Sequence, residues 1–390
     1  MSRRSVIVLL VALVVLGALA FFGQRARAPA TAATGGPILP GLQAALNDVD
    51  RVTIKKAGGE TVATIEKHAE GWSVAEKGGY PADVAKLRQN LRALAEAKII
   101  ETKTANPAFY DKLGVLDVTD AKATGVAISI SASGKDLGTL ILGDAKGTKQ
   151  RYARRASEAQ SYLLDRDPTL PKTAAQWLEP GIVDVRGNRV RQVTIKHPDG
   201  EVVTISKPNA DAANFDVLGV PKGRELLYAG VANVIGNALR ELNLEDVERA
   251  DTTAPEKPVQ VEYRTFDGLV VRITGAKRGD DAWITVVASV DAEQAAQAQA
   301  AAKPAQPAAA AGAAEQQASN PPAAESQPAA GDAATPKPAD AKPAAAAPQP
   351  DPTAEARDIN ARVSPWRFKL QTFQYDQMTR RMADLLKPVG

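Results

Sequence analysis

A chain of 390 residues with 48 basic and 45 acidic side chains carries a formal charge of only +3, too weak a field to gather nucleic acid. Hydrophobic residues make up 44% of it, enough for two ordinary cores, although one alanine tract inflates the figure. Cysteine is absent, which excludes disulfides, thiolate metal sites and a lipid-modified cysteine, and fits either a reducing or an oxidising compartment.

Residues 5–22 form an uncharged, almost wholly apolar run of 18 residues. As a helix it spans about 27 Å, close to the hydrocarbon thickness of a bilayer. Arg3 and Arg4 precede it and favour a cytoplasmic N-terminus, while Arg25 and Arg27 beyond it weaken that bias. The reading is a retained, single-pass anchor in a bacterial inner membrane, with the bulk of the chain in the periplasm. The competing reading is a signal peptide cut near Ala18-Leu19-Ala20, but secretory apolar regions are usually shorter and the cut would fall inside the run. Residues 1–27 are thus stub and anchor, and the Ala/Thr/Gly/Pro-rich stretch 28–47 reads as a spacer.

Beyond the spacer the chain repeats itself. Val52-Thr53-Ile54-Lys55 returns 141 residues later as Val193-Thr194-Ile195-Lys196, and Gly59-Glu60 returns in step as Gly200-Glu201. This predicts an α+β protein with two tandem copies of one strand-rich unit (hairpin, helix, antiparallel strands), residues 48–185 and 186–390. In the first copy, alternation predicts strands over 51–55, 61–66 and 71–74. Tyr80-Pro81-Ala82-Asp83 opens a helix whose buried stripe is Val84, Leu87, Leu91 and Leu94. A short helical piece over 106–113 stops at Gly114, and strands follow near 126–130, 138–142, 151–155 and 161–164.

The second copy has a hairpin over 193–206 and a strand at 215–217. Leu226, Leu227, Val231, Val234, Ile235, Leu239 and Leu242 predict a second helix at helical spacing. Residues 245–250 stand where the 106–113 piece stood, and strands are expected at 259–263, 269–273, 283–289 and 366–370. A last helix over 376–386 carries Met378, Met382, Leu385 and Leu386 on one face. From residue 292 to 357 there is no Val, Ile, Leu, Met or aromatic residue, so this tract is expected to be disordered, with a helical start near 294–302. The repeat places it as a loop between two hairpin partners, where a long insertion costs little closure entropy.

Candidate chemistry is sparse. His68 and His197 are the two histidines, each near a hairpin turn and not at equivalent positions, and they read as exposed loop residues rather than a metal pair. The 143–149 stretch, Gly143-Asp144-Ala145-Lys146-Gly147-Thr148-Lys149, lacks phosphate-loop spacing and reads as a turn. Asp48 with Asp50, and Asp280 with Asp281, have the neighbours of solvated turns. Arg154-Arg155 and Arg380-Arg381 could meet anionic lipid or glycan, but two charges on one element read first as a solvated face. Trp72, Trp177, Trp283 and Trp366 are assigned to core packing. No catalytic, cofactor-binding or metal-binding residue is assigned.

Several motifs together resemble proteins of the domain-of-unknown-function 4340 family. They are Val52-Thr53-Ile54, Gly71-Trp72-Ser73-Val74, Tyr80-Pro81-Ala82-Asp83, Tyr110-Asp111-Lys112-Leu113-Gly114-Val115, Leu140-Ile141-Leu142-Gly143, Arg151-Tyr152-Ala153-Arg154-Arg155 and Ser161-Tyr162-Leu163-Leu164, behind a short membrane segment. The resemblance implies a repeated α+β extracytoplasmic domain of unassigned function. Some relatives are associated, as auxiliary proteins, with ABC transporters of the gliding-motility type. The expected function is therefore that of a non-enzymatic scaffold held in the inner membrane by residues 5–22, with an ABC permease/ATPase complex as partner and no nucleic acid. The alternative is a periplasmic module that binds cell-wall glycan, with the 292–357 tract reaching peptidoglycan. A hydrolase with no recognisable motif is the third reading.

Overall fold

The computed structural model describes residues 34–251, 255–302 and 351–388. The apolar run 5–22 lies outside the described residues, as does most of the Ala/Pro-rich tract. Among the described residues no helix is long and apolar enough to cross a membrane.

The first sheet is built from β1 (Val49–Lys55), β2 (Thr61–His68), β3 (Gly71–Val74), β4 (Tyr80–Pro81), β5 (Ile99–Thr102), β6 (Val126–Ala132), β7 (Lys135–Lys146), β8 (Gln150–Arg155) and β9 (Ser161–Leu164). Its order is β4-β3-β2-β1-β6-β7-β8-β9-β5, antiparallel at every pairing. Period-two alternation puts Val52, Ile54, Ile65, Ile128 and Ile130 inside, where one face of the sheet meets helix α1 (Val84–Ala95). Asp83 caps α1 by accepting a 2.8 Å bond from the Lys86 amide, and Leu87, Leu91 and Leu94 are its buried stripe, with Val84 only half-buried. Pro81 is not in the first helical turn: it pairs with Ser73 as part of β4.

The chain then passes through β10 (Gly181–Val183) into β11 (Val190–Lys196), β12 (Val202–Ser206), β13 (Asp216–Leu218), β14 (Leu242–Asn243), β15 (Asp246–Arg249), β16 (Val259–Thr265), β17 (Leu269–Arg278), β18 (Asp281–Val290) and β19 (Trp366–Leu370). β10 pairs with β14, and the remaining strands form a sheet in the order β13-β12-β11-β16-β17-β18-β19-β15. Strand for strand, this is the connectivity of the first sheet from β3 to β5. Both sheets carry a bulge at the same place, between Val49 and Arg51 on β1 and between Val190 and Gln192 on β11.

Four expectations change. The helix predicted over 226–242 is a single turn, Asn233–Gly236. Gly230 (φ +82°) and Glu241 (φ +50°) bend the backbone out of the helical region, and the Asn233 side chain is spent on the Phe215 amide and the Asn214 side chain. The apolar stripe still goes inside, since Val231, Ile235, Leu239 and Leu242 are buried, while Leu227 is 44% exposed. Residues 245–250 hold strand β15 rather than a helical piece, and β5 is its counterpart in strand order. The last helix is broken into α4 (Thr372–Met378) and a 3-10 turn, Met382–Leu385. The core also takes in part of the supposed spacer, because Ile38, Leu39 and Leu42 lie in it.

The Ala/Pro-rich tract enters and leaves through helices. These are α2 (Ala292–Ala302) and α3 (Pro352–Val363), and the tract connects β18 to its hairpin partner β19. Pro352, Ala356, Ile359 and Val363 are the buried face of α3, and Asn360 bonds both backbone groups of Ala288 on β18 at 2.8 Å. The helical start expected near 294–302 is α2, whereas α3 takes the far end of the stretch, where disorder was expected.

The two sheets share one hydrophobic core. At the seam Tyr80 of β4 packs edge-on against Trp366 and Phe368 of β19, with ring centroids 5.1 and 6.1 Å apart. Lys77 reaches Asp246 of β15 at 2.6 Å, and Arg249 donates to the Gly78 carbonyl at 3.0 Å. Burial, helped by the Glu179 carboxylate, pushes the Tyr80 hydroxyl up to about 12. An unfolded tyrosine ionises near about 10, so this contribution to stability is intact below about pH 10 and is lost as pH climbs toward about 12. Tyr80→Phe is therefore expected to shrink the drop in Tm between about pH 9 and about pH 11. Burial raises Tyr263 and Tyr375 as well, so part of the alkaline loss persists. An unchanged drop in differential scanning fluorimetry would sink the assignment.

Candidate functional site

An open groove of about 790 Å³ lies between α1 and the β1–β3 corner of the first sheet. Leu46, Val49, Trp72, Leu87 and Leu91 supply its apolar floor. Its rim is basic, with Lys67, Arg88, Arg92 and Arg166 around a single carboxylate, Glu96. Glu96 is taken by Arg166 at 2.8 Å and lies 3.7 Å from Arg92. Lys67 and Arg88 are exposed, and among the described residues neither has an ion-pair partner. Arg88 and Arg92 share one side of α1 by their four-residue spacing, and this signal was available in the sequence.

The second sheet provides a control. Lys67 pairs with Trp72 across β2–β3, and continuing the β12–β13 register by one residue brings Lys207 opposite Phe215. There the Lys207 ammonium stands 4.6 Å from the centre of the Phe215 ring. Phe215 is closed over, only 3% exposed, because Gly236 presses on it so tightly that a Cβ would sit 2.1 Å from the ring. Among the described residues Trp72 has no such cover, and it stays half-buried at the groove. The same lysine–aromatic pair is thus filled by the protein itself in one sheet and left open in the other. An apolar floor beneath unpaired cations suits a ligand with apolar and anionic parts side by side.

The residues singled out in the sequence do not assemble into a centre. His68 is exposed, with Nε2 3.8 Å from Glu66, and belongs to the first sheet. His197 follows β11 in the second and, contrary to expectation, is buried, with no hydrogen-bond partner for Nε2 among the described residues. Among the described residues no group of three or more His, Cys, Asp or Glu could hold a metal ion. Gly143 lies within β7, and the turn is confined to 147–149. A Cβ at Gly143 would sit 2.2 Å from the Leu113 carbonyl, so close chain packing, not phosphate binding, accounts for glycine there. Asp50 accepts from the Gly134 amide at 2.5 Å, Asp48 precedes β1, and Asp281 pairs with Lys369 at 2.8 Å beside Asp280 in its turn.

The first arginine pair departs from the solvated face expected, while the second stays at the surface. Arg154 is buried, stacks 4.7 Å from the Tyr110 ring centre and donates to the Val115 carbonyl at 3.0 Å. Arg155 donates to the carbonyls of Ile38 and Pro37 at 2.6 and 3.3 Å. Arg381 bridges Asp199, at 2.7 Å, and Glu201, and these bonds hold its pKa above the usual arginine value. Arg380 borders a shallow cleft with Phe373. Trp177 is fully buried and Trp366 nearly so, whereas Trp283 and Trp72 are half-buried.

Fold and groove together define an α+β protein of two antiparallel sheets on a common core, carrying an open, basic-rimmed groove. Residues 72–261 match the profile of the family described as Domain of unknown function (DUF4340), and this stretch of the chain belongs to that family. It runs from Trp72 on β3, through α1 and across the seam, to Val261 on β16. No curated protein and no solved structure matches the chain.

Proposed function

We propose that the protein is a non-enzymatic auxiliary component of a membrane transport complex, of the ABC type, tethered through residues 5–22 and facing the periplasm. The observation that carries this reading is the Trp72 groove: a site shaped for an apolar segment with acidic flanks, set in a body stiffened by one core. Such a segment on a partner would gain apolar burial at Trp72, Leu87 and Leu91, while Lys67 and Arg88 would set its orientation. We further infer that the body arose by tandem duplication of one unit. Supporting this are the 141-residue offset of Val52 and Val193, the shared strand order and the bulges at matching positions.

Affinity isolation of the full chain from its native membranes tests the reading. The intact protein is expected to bring down permease and ATPase subunits, and Trp72→Ala with Arg88→Glu is expected to lose most of that recovery. Equal recovery by the variant overturns the groove's role. Normal assembly after deletion of residues 5–22 overturns the anchor.

A further inference from the structure

The outer faces of the two sheets are finished differently. On the first, residues 107–118 fold back as a cover, so that Tyr110, Val115 and Val118 pack on Ala127 and Ile141 in a second small core. Gly59 and Arg154 hold this cover through the carbonyls of Val118 and Val115. On the second sheet the matching positions are polar: pairing places Gln260 and Thr274 where Ala127 and Ile141 stand. Among the described residues nothing covers them, and a cleft of about 570 Å³ runs over β11, β16 and β17.

Charge appears where the cover is absent. By the same register, Ser129, Ser131 and Thr139 of the first sheet correspond to Glu262, Arg264 and Arg272 of the second. Glu262 holds both arginines, at 2.6 and 2.7 Å, and Arg264 also reaches Asp291 at 3.1 Å. Two further cations, Arg191 and Lys196, line the cleft without an ion pair among the described residues. Arg191 is the extra residue of the β11 bulge, which turns it toward the cleft, and among the described residues its buried Nε has no hydrogen-bond partner.

We propose that this face binds an extended acidic polysaccharide. Gln192, Thr194, Gln260 and Thr274 offer amides and hydroxyls for sugar hydroxyls, repeated across strands about 4.8 Å apart. Arg191 and Lys196 supply unpaired positive charge for uronate-type carboxylates. A peptide has less to gain: the three strands are interior, with their edges already paired, and the outward side chains of the cleft are polar. The site lies on the other sheet from the Trp72 groove and does not depend on it.

The full chain in detergent, titrated calorimetrically with sodium polygalacturonate, dextran and poly-L-glutamate, decides the matter. Polygalacturonate is expected to bind with an affinity that falls as salt rises, and Arg191→Gln with Lys196→Gln is expected to weaken it about tenfold. Lys196→Gln alone, at an exposed strand end, is expected to act in the same direction by a smaller factor, which guards against misfolding of the double variant. Trp72→Ala is expected to leave binding unchanged. No binding, equal binding of dextran, equal or tighter binding of poly-L-glutamate, or loss on Trp72→Ala would each overturn the proposal.

Discussion

Replacing Arg189 with methionine is expected to destabilise the protein by about 3 kcal/mol, because it strands two carboxylates in a largely buried site. Arg189 donates to Asp267 at 2.7 and 3.1 Å and to Glu355 at 2.7 and 3.0 Å. Asp267 lies in the β16–β17 turn and is only 7% exposed, and Glu355 belongs to α3. Burial alone would push the guanidinium pKa down, yet the bonds from Glu355 and Asp267 outweigh it and hold the value above that of a free arginine. The pairing is therefore satisfied, and its energetic weight appears when one member is removed. Adding Asp267→Asn and Glu355→Gln to the methionine variant is expected to restore much of the loss, since neutral partners need no counter-charge. Urea denaturation midpoints measure both steps. A single-variant cost under about 1 kcal/mol would show the network to be solvated.

Trp177→Ala is expected to cost a similar amount, about 3–5 kcal/mol, for a different reason. Its ring is fully buried, in a 3-10 turn (Ala174–Trp177) packed against β2 of the first sheet. Its carbonyl accepts from the Asp83 amide at 2.8 Å, and the next residue, Leu178, bridges to Ala82. The turn thus braces the N-terminus of α1, and truncation would open a cavity at that support. Among the described residues the indole Nε1 has no hydrogen-bond partner, so Trp177→Phe forfeits no bond seen there. It is expected to cost less than half as much as alanine in the same denaturation experiment. Equal costs would mean that the ring's polar edge matters after all.

Strands with one buried face were legible in the sequence because their signal is local. Val52 and Ile54, Val193 and Ile195, and Ile128 and Ile130 alternate, and each pair lies inside. The edge strands β5 and β15 escaped notice for the same reason. β5 buries only Ile99 of its four residues, and β15 buries only Val247 between charged neighbours, so neither alternates. Apolar spacing alone could not separate helix from irregular chain over 226–242, since both bury the same residues. The fate of Trp72 depends on whether a distant segment covers it, and that is a property of tertiary packing. His197 and Arg154 were misread likewise: their burial is imposed by chain folding over them, which single-residue polarity does not report.

The seam between the sheets joins unlike edges, β4 of one against β15 and β19 of the other. A contact between unlike edges has no inherent end, and repeated units could stack on it without limit. Residues 35–38 occupy the corresponding edge of the first sheet. Gly35 and Gly36 exchange backbone bonds of 2.7 and 2.9 Å with Ile99 of β5. Arg155 grips the carbonyls of Pro37 and Ile38 and stands 5.4 Å from the ring centre of Tyr162, the register match of Phe368. Residues 35–38 thus cover on the first sheet the edge that, on the second, faces the seam.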